Sequence, residues 1–326
     1  MMKSIANSRW TSLISNGTFV SLMIFIVVFI VYASAGKAVF TSFSMNNLFN
    51  NTVALAIAAV GLTLVILIGG FDLSVGGVLV LSNVIIATYG GEGVSGLFFS
   101  LLLVVLTGLI VGAVNGFLVS YLNIQSIAAT LGTMIVCEGI ALVIMPAPGG
   151  TVSTILSRNL TSALFGWLPV ASLIILFVAL VWLFIKRTRF GVYMYAIGAD
   201  ERASVQAGIP VKRVKFGTFV LAGIFYGLAG FMHTAQTASG DPTSSMIFML
   251  LVFASVAIGG TAFGGGKGGA IGSIIGAGIL TLLQKTLFAV GVSSFYTNIF
   301  EGLILIVAVL IGGLSVFLSK RREETA

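Results

Sequence analysis

The sequence predicts an all-α integral membrane protein of about ten transmembrane helices, with a short cytoplasmic helix in the loop before the seventh. Three observations predict it. Hydrophobic residues make up 58% of the 326 residues and charged ones 8%. Mean hydropathy is +1.16, and the apolar share is well above that of a soluble domain. Many apolar runs reach the roughly 20 residues needed to cross a bilayer core of about 30 Å. These runs are continuous rather than alternating, so the backbone groups that lipid cannot satisfy are satisfied within helices. The chain reads as one polytopic domain over 1–326.

The first span is "GTFVSLMIFIVVFIVYASAG", 17–36. It is long enough to cross and is read as a span rather than a cleavable leader, although small residues close it. Spans 52–70 and 73–90 are separated only by a polar break at Asp72. Then come 97–119 and 125–145, the polar segment 146–166, and 167–185. After a charged loop, 216–237, 246–262, 270–290 and 298–318 complete the set, with "FGGGKGG" between the eighth and ninth. Either short break can hold a re-entrant segment, which gives about nine to eleven crossings. "GAVNG" (112–116) and "GSIIGAG" (272–278) place small residues four apart, which lets helix backbones approach closely in lipid.

Charge orients the spans. The net charge is +7, but its basic residues sit in loops, the pattern of the positive-inside rule and not of nucleic-acid binding. The loop 186–215 holds Lys186, Arg187, Arg189, Asp200, Glu201, Arg202, Lys212, Arg213 and Lys215. Placed in the cytoplasm, it brings Lys3, Arg9, Lys267, Lys320, Arg321 and Arg322 inside as well. Both termini are then cytoplasmic, Lys37 and Arg158 fall outside, and 146–166 is the longest external loop. The lone Cys137 provides no disulfide framework.

The chain offers no energy source of its own. "GGGKGG" fails the phosphate-loop pattern: Gly268 follows Lys267 where Ser or Thr is needed, and Thr261 stands in place of the first glycine. Gly264, Gly266 and Gly269 fit a dinucleotide fingerprint, yet no strand precedes them, so the stretch reads as a tight cytoplasmic turn. One histidine, His233, and one cysteine make no conventional metal cluster, and no catalytic constellation emerges. No bound cofactor is expected.

Ionisable residues in apolar runs are costly and point to function. Lys285 and Glu301 lie near span ends, where snorkelling or an interhelical pair accounts for them. Glu138, about mid-span, is either a packed ion pair or the lining of a polar pathway. In "GGFDLSVGG", 69–77, Asp72 and Ser74 can cap the next helix. Alternatively the break lies beside a translocation path, where irregular backbone is tolerated. Asn115 joins Asp72, Ser74 and Glu138 as candidates for pathway or helix break. "IGGFDLSVGG" and "IGGTAFGGGKGG" (258–269) are weakly alike, the trace of an internal repeat.

Within the basic loop, "ADERASVQAGIP" predicts a short free-standing helix. Asp200 is a good N-cap, Glu201 suits the first turn, Gly208 is a natural C′ residue and Pro210 stops continuation. Two turns span roughly 10–11 Å and are marginal alone in water. The flanks "KRTRF" and "KRVK" can anchor both ends at an anionic membrane surface. The capped helix between them suggests a docking element for a cytosolic partner.

Together these blocks resemble the sugar-type permeases of ABC importers, the ribose, xylose, arabinose and galactose group. The resemblance covers nearly the whole chain. It is carried by "GGFDLSVGG", "GFLVSYLNIQSIAATLGTM" (116–134), "RTRFGVYMYAIGADERASVQAGIPVKRVK" (187–215), "AIGGTAFGGGKGGAIGSIIGAGIL" (257–280) and "GVSSFYTNIFEGLILIVAV" (291–309). It implies a dimer of permeases, a homodimer or a heterodimer, in the bacterial cytoplasmic (inner) membrane. It implies a cytoplasmic ATPase with two fused nucleotide-binding modules that binds the ATP and Mg, and a periplasmic or lipoprotein sugar-binding protein. The ATPase-coupling helix is then carried onto Asp200, Glu201, Arg202, Ala203, Val205, Gly208 and Ile209. Family members often carry Arg-Gly after "TLGTM", whereas this chain has Glu138-Gly139, which weakens any transfer of substrate from the pentose permeases. Two other classes remain to be told apart: an ion-coupled secondary transporter using Asp72 or Glu138, and a membrane enzyme, which the missing catalytic cluster disfavours.

Overall fold

A computed structural model describes residues 17–34, 39–292, 296, 299, 302 and 303. Its helices are α1 (Gly17–Ser34), α2 (Ser42–Leu67), α3 (Ser74–Tyr89), α4 (Gly93–Ser120), α5 (Ser126–Ile144), α6 (Thr154–Asn159), α7 (Val170–Arg187), α8 (Arg189–Ala199), α9 (Glu201–Gln206), α10 (Val211–Thr237), α11 (Ser245–Ile258) and α12 (Ala270–Ala289). Among the described residues, seven helices are long and apolar enough to cross a membrane; α3 and α11 are shorter apolar helices. These nine match the first nine expected spans. The tenth, 298–318, lies outside the described residues apart from single positions, as do Lys3, Arg9, Lys37, Glu301, Lys320, Arg321 and Arg322.

At the centre is α2, buried at every position from Thr52 to Leu67, as expected of a helix apolar all round. It packs on α10 and α12, with α7 and α11 also against it; α10 packs in turn on α4, and α3 on α5. The small residues act as expected. A Cβ on Gly112 would lie 2.5 Å from the Phe219 carbonyl oxygen, so α4 and α10 cross in backbone contact, and one on Gly276 would lie 2.0 Å from the Ser255 carbonyl oxygen. At the periphery, α1, α5 and α7 turn aliphatic and aromatic faces outward: Val27, Val143 and Phe184 are all exposed.

Several boundaries differ from the sequence reading. α2 starts at Ser42 rather than 52, because its polar first turns have partners. Thr41 caps it, accepting from the Ser44 N–H, and Asn46 and Asn50 donate to the Thr161 carbonyl at 2.7 and 2.8 Å. α10 takes in Lys212, Arg213 and Lys215 as its first turns. α8 falls where a loop was expected. Thr188 caps it by accepting from Gly191 N–H, and Met194 and Ile197 bury one face. The all-α description has one small exception, a hairpin of β1 (Ala163–Leu164) and β2 (Leu168–Pro169).

The two ends of the bundle are distinct. Gly17 packs on Gly260, and Lys186 and Trp182 lie beside Gly269, so the start of α1, the α7–α10 loop and the 259–269 turn share one end. The segment 146–169 lies at the other, tied to Gly240 by paired backbone hydrogen bonds from Gly149. This is the grouping that the charge pattern requires for Lys267 and the 186–215 loop.

Candidate functional site at the basic end

α9 forms as a capped, protruding helix. The Asp200 carboxylate accepts from the Ala203 N–H at 3.0 Å. Gly208 takes the left-handed conformation, φ +78°, and closes the helix: Gly208 N–H donates to the Val205 carbonyl and Ile209 N–H to that of Ser204. An L side chain would be strained in that geometry. Of the helix only Ser204 is buried; Glu201, Arg202, Ala203 and Val205 are exposed, and Val205 is 59% so. Lys215 pairs with Glu201 at 2.7 Å, an exposed contact that adds little stability. The helix is thus held by its own caps and leaves an apolar side chain in the open.

The break at 68–73 is the opposite kind of structure. Asp72 and Ser74 are each 1% exposed and Asn115 is fully buried. Asp72 Oδ1 accepts from the Ser74 N–H at 3.0 Å and from its hydroxyl at 2.5 Å. Asn115 Nδ2 on α4 donates to the Ser74 hydroxyl at 2.9 Å, and Thr133 on α5 donates to Asn115 Oδ1 at 2.8 Å. The freed backbone is met from α5: Phe71 N–H donates to the Ser126 hydroxyl at 3.1 Å and Leu73 N–H to that of Thr130 at 3.0 Å. Buried irregular backbone persists only where protein groups satisfy it. The capping expectation is corrected in detail: Leu73 holds the N-cap position and Ser74 is the first helical residue, while Asp72 holds the Ser74 N–H from one position further out. Asp72 Oδ2 makes no well-aligned hydrogen bond among the described residues; the buried Tyr226 hydroxyl on α10, also without one, is in electrostatic contact with this carboxylate.

The structure brings Asp72, Ser74 and Asn115 into one network but leaves Glu138 apart. Glu138 is half-exposed on α5 and has no hydrogen bond or ion pair among the described residues, so the packed ion pair is not formed within them. Lys285 does find an interhelical partner, Asn47 Oδ1 at 2.9 Å. Among the described residues no three His, Cys, Asp or Glu converge to hold a metal ion.

Sequence reasoning missed how the two features connect. The weakly similar breaks at 68–73 and 259–269 meet in space: Phe71 stacks on Phe263 and Phe253, and Gly266 N–H donates to the Leu67 carbonyl at 3.0 Å. Into this meeting point fits Gly198, near the end of α8 and three residues before α9. A Cβ there would lie 1.8 Å from the Leu67 carbonyl oxygen and 2.4 Å from Gly266 N. The available signal was a glycine inside an amphipathic stretch with no turn to explain it. Ser126, Thr130 and Thr133 carried none, being ordinary hydroxyls in an apolar helix.

The structure is thus a polytopic helical bundle with a buried helix break and an exposed, capped helix at its basic end. A family model described as the permease component of a branched-chain amino acid transport system matches residues 44–309, and the chain belongs to that family of transport permeases. Among curated proteins it is similar to the ribose import permease of Escherichia coli (strain K12), 37% identical over 282 residues, 82% of this chain and 86% of that one. It is also similar to the ribose import permease of Bacillus subtilis (strain 168), 33% identical over 90% of this chain and 91% of that one. The D-allose transport system permease of E. coli (strain K12) is 32% identical over 90% of each. No solved structure matches. The resemblance to sugar permeases is borne out, and the role is that of a transport subunit rather than an enzyme.

Proposed function

We propose that this chain translocates a monosaccharide or related small polar solute as the transmembrane subunit of an importer powered by a separate ATPase. An extracytoplasmic binding protein feeds it, and it sits as a multi-pass protein in the bacterial inner membrane with both termini cytoplasmic. The observation that carries the reading is α9: a helix too short to be stable alone, capped at both ends, exposed on nearly every side and placed at the basic end. The ATPase, with two fused nucleotide-binding modules holding ATP and Mg, grips Asp200 to Ile209. Its movement passes through Gly198 to the paired breaks, and rigid-body shifts of α2, α3 and α10 open or close the path. The sugar class rests on the relatives' names. The outward face of α5, where Gly132 and Gly139 meet nothing within 4 Å, supports a second permease copy across a pathway with Glu138 on its wall.

The test is uptake by proteoliposomes holding this permease, its ATPase and its binding protein. Uptake of a labelled monosaccharide only with internal ATP is expected. Uptake by the permease alone, driven by a proton or sodium gradient, establishes the secondary-transporter alternative instead.

A further inference from the structure

A cavity lies at the basic end of the bundle, where α1, α7 and α8 meet the 259–269 turn. Gly17 and Thr18 of α1, Trp182, Leu183 and Lys186 of α7, Tyr195 of α8 and the Gly266–Gly269 stretch line a cavity of about 630 Å³. Among the described residues its two charges are Lys186 and Lys267, both exposed, no carboxylate lines it, and neither lysine has an ion-pair partner. The Lys186 ammonium lies 5.7 Å from the Tyr195 ring centroid, and the Tyr195 hydroxyl donates to the Gly268 carbonyl at 2.7 Å, so the wall between the lysines is fixed. The two helices that line the cavity also carry exposed apolar side chains: Leu180 and Phe184 on α7 and Leu22, Met23 and Ile26 on α1.

We infer that this cavity binds the phosphate of an anionic phospholipid, with Lys186 and Lys267 on the headgroup and the acyl chains along α1 and α7. Basic pockets between helices at the cytoplasmic face suit such headgroups, and a lysine near them is worth enough to be measured. The shared chemistry is an anionic phosphate group, which inorganic phosphate also presents. The exposed apolar side chains on the two helices that line the pocket favour the lipid. The inference rests on the orientation proposed above only for the choice of leaflet.

The full-length permease, extracted in mild detergent from membranes containing phosphatidylglycerol, is examined for retained lipid by native mass spectrometry. The wild-type chain is expected to keep phosphatidylglycerol over phosphatidylcholine. Lys186→Ala and Lys267→Ala each weaken retention about fivefold, and together about 25-fold, while Lys212→Ala/Arg213→Ala, basic residues outside the pocket, changes it little. Unchanged retention in the double variant, or equal loss in the control, overturns the site. Inorganic phosphate is the second probe: release of the lipid by it with equally strong binding in lipid-free micelles overturns the lipid assignment. Lys267→Cys in a Cys137→Ser background reports orientation separately, by labelling from the cytoplasmic side only; labelling from outside overturns the leaflet but leaves the retention result standing.

Discussion

α9 and the 68–73 break are both short departures from long apolar helices, yet they are built in opposite ways. The break is buried, and its polar groups reach across the bundle to α4 and α5. α9 is exposed, and its bonds run within its own turns apart from the Lys215–Glu201 pair. A segment stabilised by its own chain resists movement relative to that chain; a segment that closes only its own caps is free to be held by another. Gly198 stands between them, where backbone from α2, α8 and the 259–269 turn comes within one side chain's width.

The largest effect is expected at Gly198, the junction between α9 and the buried break. Gly198→Val forces a branched side chain into backbone and is expected to cost about 3 kcal/mol, with uptake lost; thermal melting and transport assays check both. Gly198→Ala is the milder variant, and retention of wild-type transport with it would separate the junction from the mechanism.

Next comes the buried network. Asp72→Ala leaves the Ser74 N–H and hydroxyl without their acceptor and is expected to cost about 2 kcal/mol, read as a lower melting temperature. Asp72→Asn keeps an acceptor oxygen and should recover most of that loss. Transport lost in Asp72→Asn at near-native stability assigns the carboxylate to the pathway rather than to the break.

Gly208→Val sharpens the contrast from the exposed side. The φ of +78° makes a β-branched residue strained by at least about 1 kcal/mol, but the strain is local. The bundle should melt nearly as before while co-purification of the ATPase and ATP-driven uptake fall together. Glu138→Gln has the smallest expected effect on stability, within about 0.5 kcal/mol, because no partner within the described residues is lost. A changed apparent affinity for solute with unchanged ATPase binding places it on the pathway.

Much of this was legible in the sequence. Apolar runs marked nine of the helices that the structure describes, seven of them long enough to cross a membrane, since in lipid the run and the helix are nearly the same thing. The caps of α9 were readable because Asp200 and Gly208 act through neighbours two or three residues away. The start of α2 was not, because Asn46 and Asn50 are paid for by Thr161, more than a hundred residues on. α8 was hidden by the charges flanking it. Asp72 and Ser74 were seen as a local cap, but their tie to Asn115 and Thr133 depends on how three helices pack, and Gly198 matters only through two breaks that sequence kept far apart.

The central claim is that α9 is held by the ATPase. A photo-reactive residue at position 205, in the assembled transporter, tests it most directly. The account predicts a covalent adduct with the ATPase chain from position 205 and none from position 164, at the opposite end of the bundle. An intact complex that gives no adduct from position 205, or gives one equally from position 164, would contradict it.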